Sequence, residues 1–238
     1  MATLIASTDG LRPGNQILTL LPESDYRRIS SQLEPVELPH GKILYETGGL
    51  IDYVYFPLKS MVSLVKQMAD GKIIEVGLVG KEGMTGIAIL MGETTSAERA
   101  IVQIPNGGLR AKIGVIKEEF KRGGMLQDLL LRYANGFIRQ ISQTAACNAV
   151  HTAEERLCRW LLMCQDRVAS DDLNLTQEFL AEMIGTRRAT VTVAAVTLQS
   201  AGLIHYNRGQ IKIVDREGLE SFSCECYDGL RISRTVEQ

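Results

Sequence analysis

The stretch from Thr176 to Ile204, TQEFLAEMIGTRRATVTVAAVTLQSAGLI, constrains this chain more than any other because it prescribes two short helices with a fixed break between them. Thr176 offers a hydroxyl to cap the first helix, Glu178 puts negative charge in its first turn, and Phe179, Leu180, Met183 and Ile184 form its apolar stripe. Gly185 interrupts the pattern. Thr186 offers a second cap, Val191, Ala194, Ala195 and Leu198 recur at helical spacing, and Ala201-Gly202 closes the element. Arg187, Arg188, Thr190 and Thr192 then fall near the exposed start of the second helix. This is helix-turn-helix spacing. A helix in the major groove reads bases with its amino-terminal residues, and arginine can hold guanine through two hydrogen bonds.

Helix pairs around a glycine are common in all-α proteins, so the flanking sequence decides. Leu203 to Tyr206 and Gln210 to Val214 are two β-like runs joined by Asn207-Arg208-Gly209, a hairpin with positive charge at its tip. The unit is therefore read as a winged helix-turn-helix. From Ala181 to Val214 it carries Arg187, Arg188, Arg208 and Lys212 against Glu182 alone. Such a face attracts duplex DNA. The patch has to be local, because the 238-residue chain has a formal net charge of −2.

With 45% hydrophobic and 23% charged residues, wholesale disorder is excluded. No apolar run reaches the length of a membrane span and the amino terminus lacks the order of a secretory signal, so no membrane partner and a cytoplasmic location are expected. All five cysteines, Cys147, Cys158, Cys164, Cys224 and Cys226, lie in the second half without a disulfide framework, which fits a reducing compartment. Cys224-Glu225-Cys226 places two thiols where Cys158 or Cys164 would be the partners for soft metal ligation or a reversible disulfide. Lacking the second close pair of common metal sites, these are read as idle thiols, and neither metal nor cofactor is expected. His40, His151 and His205 are read as a turn residue, the residue before a helix cap and a wing residue. An enzyme is not expected. His40 is the only histidine of the first half, and Gly77-Leu78-Val79-Gly80 and Gly83-Met84-Thr85-Gly86 lack the lysine of a phosphate loop.

Taken in order, Met1 to Gly14 reads as a loose arm and Asn15 to Leu33 as a helix or two, broken at Pro22-Glu23-Ser24. After Pro35, short apolar runs alternate with turn signals: Lys42 to Tyr45, Tyr53 to Phe56, Met61 to Val65, Ile73 to Leu78, Ile87 to Met91, Ala100 to Ile104 and Leu109 to Val115. That rhythm predicts an antiparallel roll, with Asp70-Gly71 as its clearest hairpin. Glu118 to Arg122 is a short helix, Gly123-Gly124 a hinge, and Met125 to Val150 one long helix. On it Leu126, Leu130, Tyr133, Phe137, Ile141 and Thr144 recur at steps of three or four, the spacing of a dimerisation seam. Thr152 to Glu155 fits a capping box, which puts a boundary at Val150-His151. The expected class is α+β: a jelly-roll-like β-roll over 1–124, a dimerisation helix over 125–150 and a winged helix-turn-helix over 151–238.

This order of parts resembles the Crp/Fnr family of bacterial transcription regulators from about Asn15 to Val214. The resemblance is most specific in Leu175-Thr176-Gln177-Glu178, Gly185-Thr186-Arg187-Arg188-Ala189-Thr190-Val191 and Ala201-Gly202-Leu203-Ile204. It implies a homodimer that binds pseudo-palindromic double-stranded promoter DNA, contacts RNA polymerase and receives a signal in the roll. The DNA-binding set would be Thr176, Arg187, Arg188, Thr190, Thr192, Arg208 and Lys212. Two positions depart from the cyclic-AMP-responsive members: Ala189 and Val193 stand where those carry an acidic residue and a second arginine, so the base preference should differ. The effector pocket departs further. In place of the family's ribose-binding Gly-Glu-Leu segment stands Gly86-Ile87-Ala88, the phosphate-binding arginine position falls near Ala97, and Arg99 lies two residues late. Isoleucine cannot accept a hydrogen bond from a ribose hydroxyl, so Gly86, Ile87 and Arg99 do not predict a cyclic-nucleotide site. Another small-molecule effector, or none, is expected. With no cysteine ahead of the roll, an amino-terminal iron–sulfur cluster is not expected either. The alternative function is a winged-helix adaptor that binds protein instead of DNA.

Overall fold

The structure, a computed structural model, describes Arg12 and residues 14–232. The loose arm read over Met1 to Gly14 thus lies almost wholly outside the described residues. Helices α1 (Gln16–Leu20) and α2 (Glu23–Ser30) precede seven strands: β1 (Glu34–Leu38), β2 (Ile43–Tyr45), β3 (Tyr53–Pro57), β4 (Met61–Gln67), β5 (Ile73–Val79), β6 (Arg99–Ile104) and β7 (Asn106–Lys112). These pair antiparallel in two sheets, β1-β7-β3 and β2-β6-β4-β5, and enclose a core of Val54, Phe56, Val62, Val79, Ala100 and Val102. Asp70-Gly71 turns β4 into β5 with Gly71 at φ 84°.

Two expectations for the roll need correction. Ile87–Met91 is a 3-10 helix rather than a strand, because Gly86 and Gly92 bracket it at φ 77° and 102°, and left-handed backbone at both ends breaks an extended run. The run read as a strand to Val115 turns helical at its end, where α3 (Ile113–Arg122) begins.

Helix α4 (Met125–Val150) lies across the roll on its aromatic side chains. A Cβ on Gly77 would sit 2.6 Å from the Phe137 ring, and one on Gly83 would sit 2.1 Å from Tyr133. Only glycine admits the helix so closely. Gln140 fixes the height of contact: its Oε1 accepts from the Leu78 backbone N–H at 2.6 Å and its Nε2 donates to the Leu78 carbonyl at 3.2 Å. The side chain thereby pairs the free side of edge strand β5, which would otherwise present open backbone groups. Among the described residues no helix is long and apolar enough to cross a membrane.

Beyond His151 come α5 (Ala153–Val168), β8 (Asp172–Asn174), α6 (Gln177–Met183), α7 (Arg188–Ser200), β9 (Ile204–Asn207), β10 (Gln210–Ile213) and α8 (Arg216–Phe222). The capping box forms, Thr152 Oγ1 accepting from Glu155 N–H and Glu155 from Thr152 N–H. The apolar core, however, does not divide at His151. Met61, Val65 and Leu78 of the roll share one cluster with Leu157, Trp160 and Leu161 of α5. Two buried polar contacts tie the same faces. Arg167 Nε lies 2.9 Å from Glu82 Oε1 with both side chains 1% exposed, and Trp160 Nε1 donates to Glu75 Oε1 at 2.7 Å while Ser63 donates to Oε2.

Removing one partner of a buried ion pair strands the other charge, so Arg167→Met should lower stability by about 3–5 kcal/mol, and adding Glu82→Gln should restore most of it. Chemical denaturation of the three proteins checks this. Burial raises the Glu75 carboxyl from 4.5 to about 7. The folded state therefore holds a proton between those values that the unfolded state releases, and stability declines as pH rises through that window. Glu75→Gln should flatten the decline, read as a smaller loss of Tm between pH 5 and 8 than in the wild type.

Candidate nucleic-acid interface

Helix α6 starts at Thr176, whose Oγ1 accepts from Phe179 N–H at 3.3 Å. It ends at Ile184, and Gly185 at φ 62° makes the turn. Helix α7 then begins one residue later than the sequence suggests. Its N-cap is Arg187, not Thr186, because Thr186 N–H is drawn back to the Ala181 carbonyl to close the turn. No side chain caps α7. Its first N–H groups and partial positive charge therefore face outward with two arginines beside them, an arrangement suited to an anion.

Val191, Ala194, Ala195 and Leu198 bury the inner side of α7. Its outer side presents Arg187, Arg188 and Ala189, then Val193 and Val196 at 61% and 58% exposure. Val193 is one of the departures noted in the sequence, whereas Val196 is passed over in reading the sequence for polar contacts; its signal was the break in the apolar periodicity, since at helical spacing it falls away from Val191. Thr190 and Thr192 are half-buried at the rim, and Thr192 Oγ1 donates to Gln177 Oε1 at 2.9 Å. Arg188 pairs with Glu178 of α6 across the turn, both side chains 63% exposed.

The wing is three-stranded, in the order β8-β10-β9. Its first strand, Asp172–Asn174, pairs with β10 through Leu173 and Ile211. Asn207 pairs with Gln210, so the hairpin turn is Arg208-Gly209, with φ of 46° and 83° as a two-residue loop of this twist demands. Arg208 and Lys212 are exposed, and the tip folds beside Thr176, whose methyl is 3.6 Å from where a Gly209 Cβ would be. The wing tip and the start of α6 thus lie together, and Arg187, Arg188, Arg208 and Lys212 are each exposed. His205 is exposed on β9, while His40 in the roll places Nδ1 2.8 Å from the Gln103 carbonyl oxygen.

Elsewhere the structure departs from the expectations. Of the seam residues, Leu126, Leu130, Tyr133 and Phe137 pack inside this chain's own roll, and Thr144 is buried; Ile141 alone is exposed. The helix bears two apolar stripes, and the one with the aromatic rings turns inward onto the glycines. At the candidate effector pocket, Gly86, Ile87 and Arg99 are each engaged within the chain. Gly86 N–H donates to the Tyr45 hydroxyl at 3.1 Å, Ile87 is buried, and Arg99 is paired outward with Glu46 at 2.7 Å. Cys158 and Cys164, read as potential partners of the Cys224-Glu225-Cys226 thiols, lie instead in the apolar core of α5, where burial pushes the Cys158 thiol up to about 12.

A basic, uncapped helix beside a basic wing, carried behind a β-roll and a long helix, defines a winged-helix DNA-binding regulator with an amino-terminal sensor-like domain. Comparison with known proteins gives the family. Residues 155–222 match the Crp-like helix-turn-helix domain. The chain is 28% identical over 200 residues to a global nitrogen regulator of Synechocystis sp., covering 79% of this chain and 89% of that protein. It is 23% identical to a CRP-like cAMP-activated global transcriptional regulator of Mycobacterium tuberculosis, covering 80% and 88%. The fold matches FixK2 from Bradyrhizobium japonicum with a TM-score of 0.69 at 18% identity, over 81% of this chain and 98% of that one. Residues 155–222 are thus a Crp-like helix-turn-helix domain, and the chain as a whole is similar to transcription regulators of the Crp/Fnr type rather than to enzymes.

Proposed function

We propose that the protein is a homodimeric, sequence-specific regulator that lays one α7 in each of two successive major grooves of promoter DNA. The observation that carries this reading is the start of α7, where Arg187, Arg188 and uncapped backbone N–H groups are exposed together. Arg188 reads a guanine edge. Ala189, Val193 and Val196, apolar and outward, suit thymine methyl groups more than polar base edges. Arg187, Thr176, Thr190 and Thr192 add phosphate and rim contacts, and Arg208 and Lys212 grip the backbone from the wing. Arg188 must leave Glu178 to do this, a small demand because exposed ion pairs are worth about 0–1 kcal/mol.

The outer stripe of α4 supports self-association. Leu131, Ala134, Ile138, Ile141 and Ala145 step by three and four, and Leu131, Ile138 and Ile141 are 52%, 52% and 38% exposed. This seam is rotated by roughly 100°, one residue, from the one read in the sequence. Two α7 helices held about 34 Å apart would favour a pseudo-palindromic site. The Tyr45-filled Gly86 turn and the Arg99–Glu46 pair argue against a cyclic nucleotide as the signal, so an unidentified effector, or none, acts on the roll. Contact with RNA polymerase and action in the cytoplasm follow from the family role.

A genomic-fragment selection by the purified protein should enrich a pseudo-palindrome; retention of no fragment at any salt concentration would favour a protein-binding adaptor. Against that site, Arg188→Ala should relax specificity at one base pair and cost about 1–3 kcal/mol, whereas Arg208→Ala should weaken all sequences alike and reduce the salt slope. Fluorescence anisotropy at several salt concentrations separates the two. Ile138→Glu should yield monomers by light scattering and abolish tight binding, with Phe137→Leu disturbing the fold but not the dimer seam.

A further inference from the structure

We propose that Cys147, His151, Cys224 and Cys226 form a closed, four-ligand site for a single thiophilic divalent cation of the zinc class. Their ligand atoms all lie within 4.8 Å of one another, with the three cysteines buried and the histidine half-buried. Cys147 Sγ lies 3.5 Å from Cys224 Sγ, and Cys226 Sγ lies 3.6 Å from His151 Nδ1. A tetrahedral ion with bonds of about 2.3 Å to sulfur and about 2.0–2.1 Å to nitrogen needs edges of about 3.8 and 3.6 Å between such atoms. The donors are already gathered at the spacing of one ion.

The surroundings agree with that assignment. His151 turns Nε2 toward Glu225 Oε2 at 3.2 Å, which orients the ring and leaves Nδ1 for the interior. Gln143 Nε2 donates to Cys226 Sγ at 2.9 Å, which holds the sulfur in place from outside the cluster. Three thiolates and a dication leave one net negative charge, and a buried cation stands close by. Arg159 is 1% exposed, and its Nε has no partner. It donates to Thr144 and Met163 only, and among the described residues no carboxylate lies within ion-pairing distance of it.

Other uses of the cluster fit less well. A disulfide would join Cys147 to Cys224 at about 2.05 Å and leave Cys226 and His151 facing each other without a task. An iron–sulfur cluster spreads its cysteines over several metal atoms, and these four donors are too close together for that. Four protein ligands leave no open position, so the ion is structural rather than catalytic.

The site spans a joint. Cys147 and His151 end α4, while Cys224 and Cys226 follow α8 at the far end of the DNA-binding domain. A bound ion fastens that domain to α4 across the turn into α5. Its influence on DNA affinity rests on the function proposed above; the site itself does not.

Cobalt binding to the full-length protein, stripped with chelator and kept reduced, tests it without DNA. One equivalent per chain should develop thiolate-to-cobalt charge-transfer and tetrahedral d–d absorption, both abolished by added zinc. Cys226→Ser should weaken binding more than tenfold and Glu225→Gln by about tenfold, with Cys158→Ala unchanged. His151→Asn, at a half-buried position, covers the case in which a cysteine variant does not fold. A spectrum of hydrated cobalt only, a spectrum indifferent to both Cys226→Ser and His151→Asn, or a Cys147–Cys224 disulfide in metal-free protein isolated under reducing conditions would each overturn the proposal. Loss of DNA binding with the cobalt spectrum intact would instead count against the functional reading.

Discussion

Tyr133 and Phe137 rest on backbone where a methyl group has no room. Because Gly77 and Gly83 let α4 come this close, the Gln140 amide reaches both backbone groups of Leu78, and the helix is held in height and rotation at once. That placement continues into α5. The turn at His151 delivers α5 to the same sheet, where Trp160 meets Glu75 and Arg167 meets Glu82 in surroundings that exclude water. A side chain at either glycine would lift α4, and the geometry of α5 and of the recognition helix would move with it. Coupling between the roll and α7 therefore runs through packed groups with little slack.

The polar members of this contact give it a character that an apolar interface lacks. Glu75 holds its proton near neutral pH because burial outweighs the hydrogen bonds from Ser63 and Trp160. Buried ion pairs add little net stability over apolar residues, but they are intolerant of mismatch. Glu82 and Arg167 thus act less as adhesive than as a register mark for α5 on the roll.

How much was legible in the sequence follows the range of the interactions. The helix-turn-helix could be read because its signals are local: a hydroxyl at Thr176, a glycine at 185, apolar residues at helical spacing. The hairpin of β4 and β5 and the capping box at Thr152 are of the same kind. The orientation of α4 was not legible, since it carries two apolar stripes and only the facing glycines, some fifty residues earlier, decide which turns inward. The short strand Asp172–Asn174 was hidden because its one apolar residue, Leu173, gives no period. The cysteines were harder still. Cys147 and Cys224 are 77 residues apart, and His151 seemed only to precede a cap.

Glu178 has a further consequence for how the reading helix meets DNA. In the free protein its carboxylate already holds the Arg188 guanidinium, offering two oxygens much as a guanine edge offers N7 and O6. Under the function proposed above, engagement of Arg188 would be a ligand exchange rather than a new bond. On a duplex lacking a guanine at that position the arginine would stay on Glu178, and contact would fall to the wing and helix start, which would meet phosphates everywhere alike. The pair would so divide the task of scanning from the task of stopping.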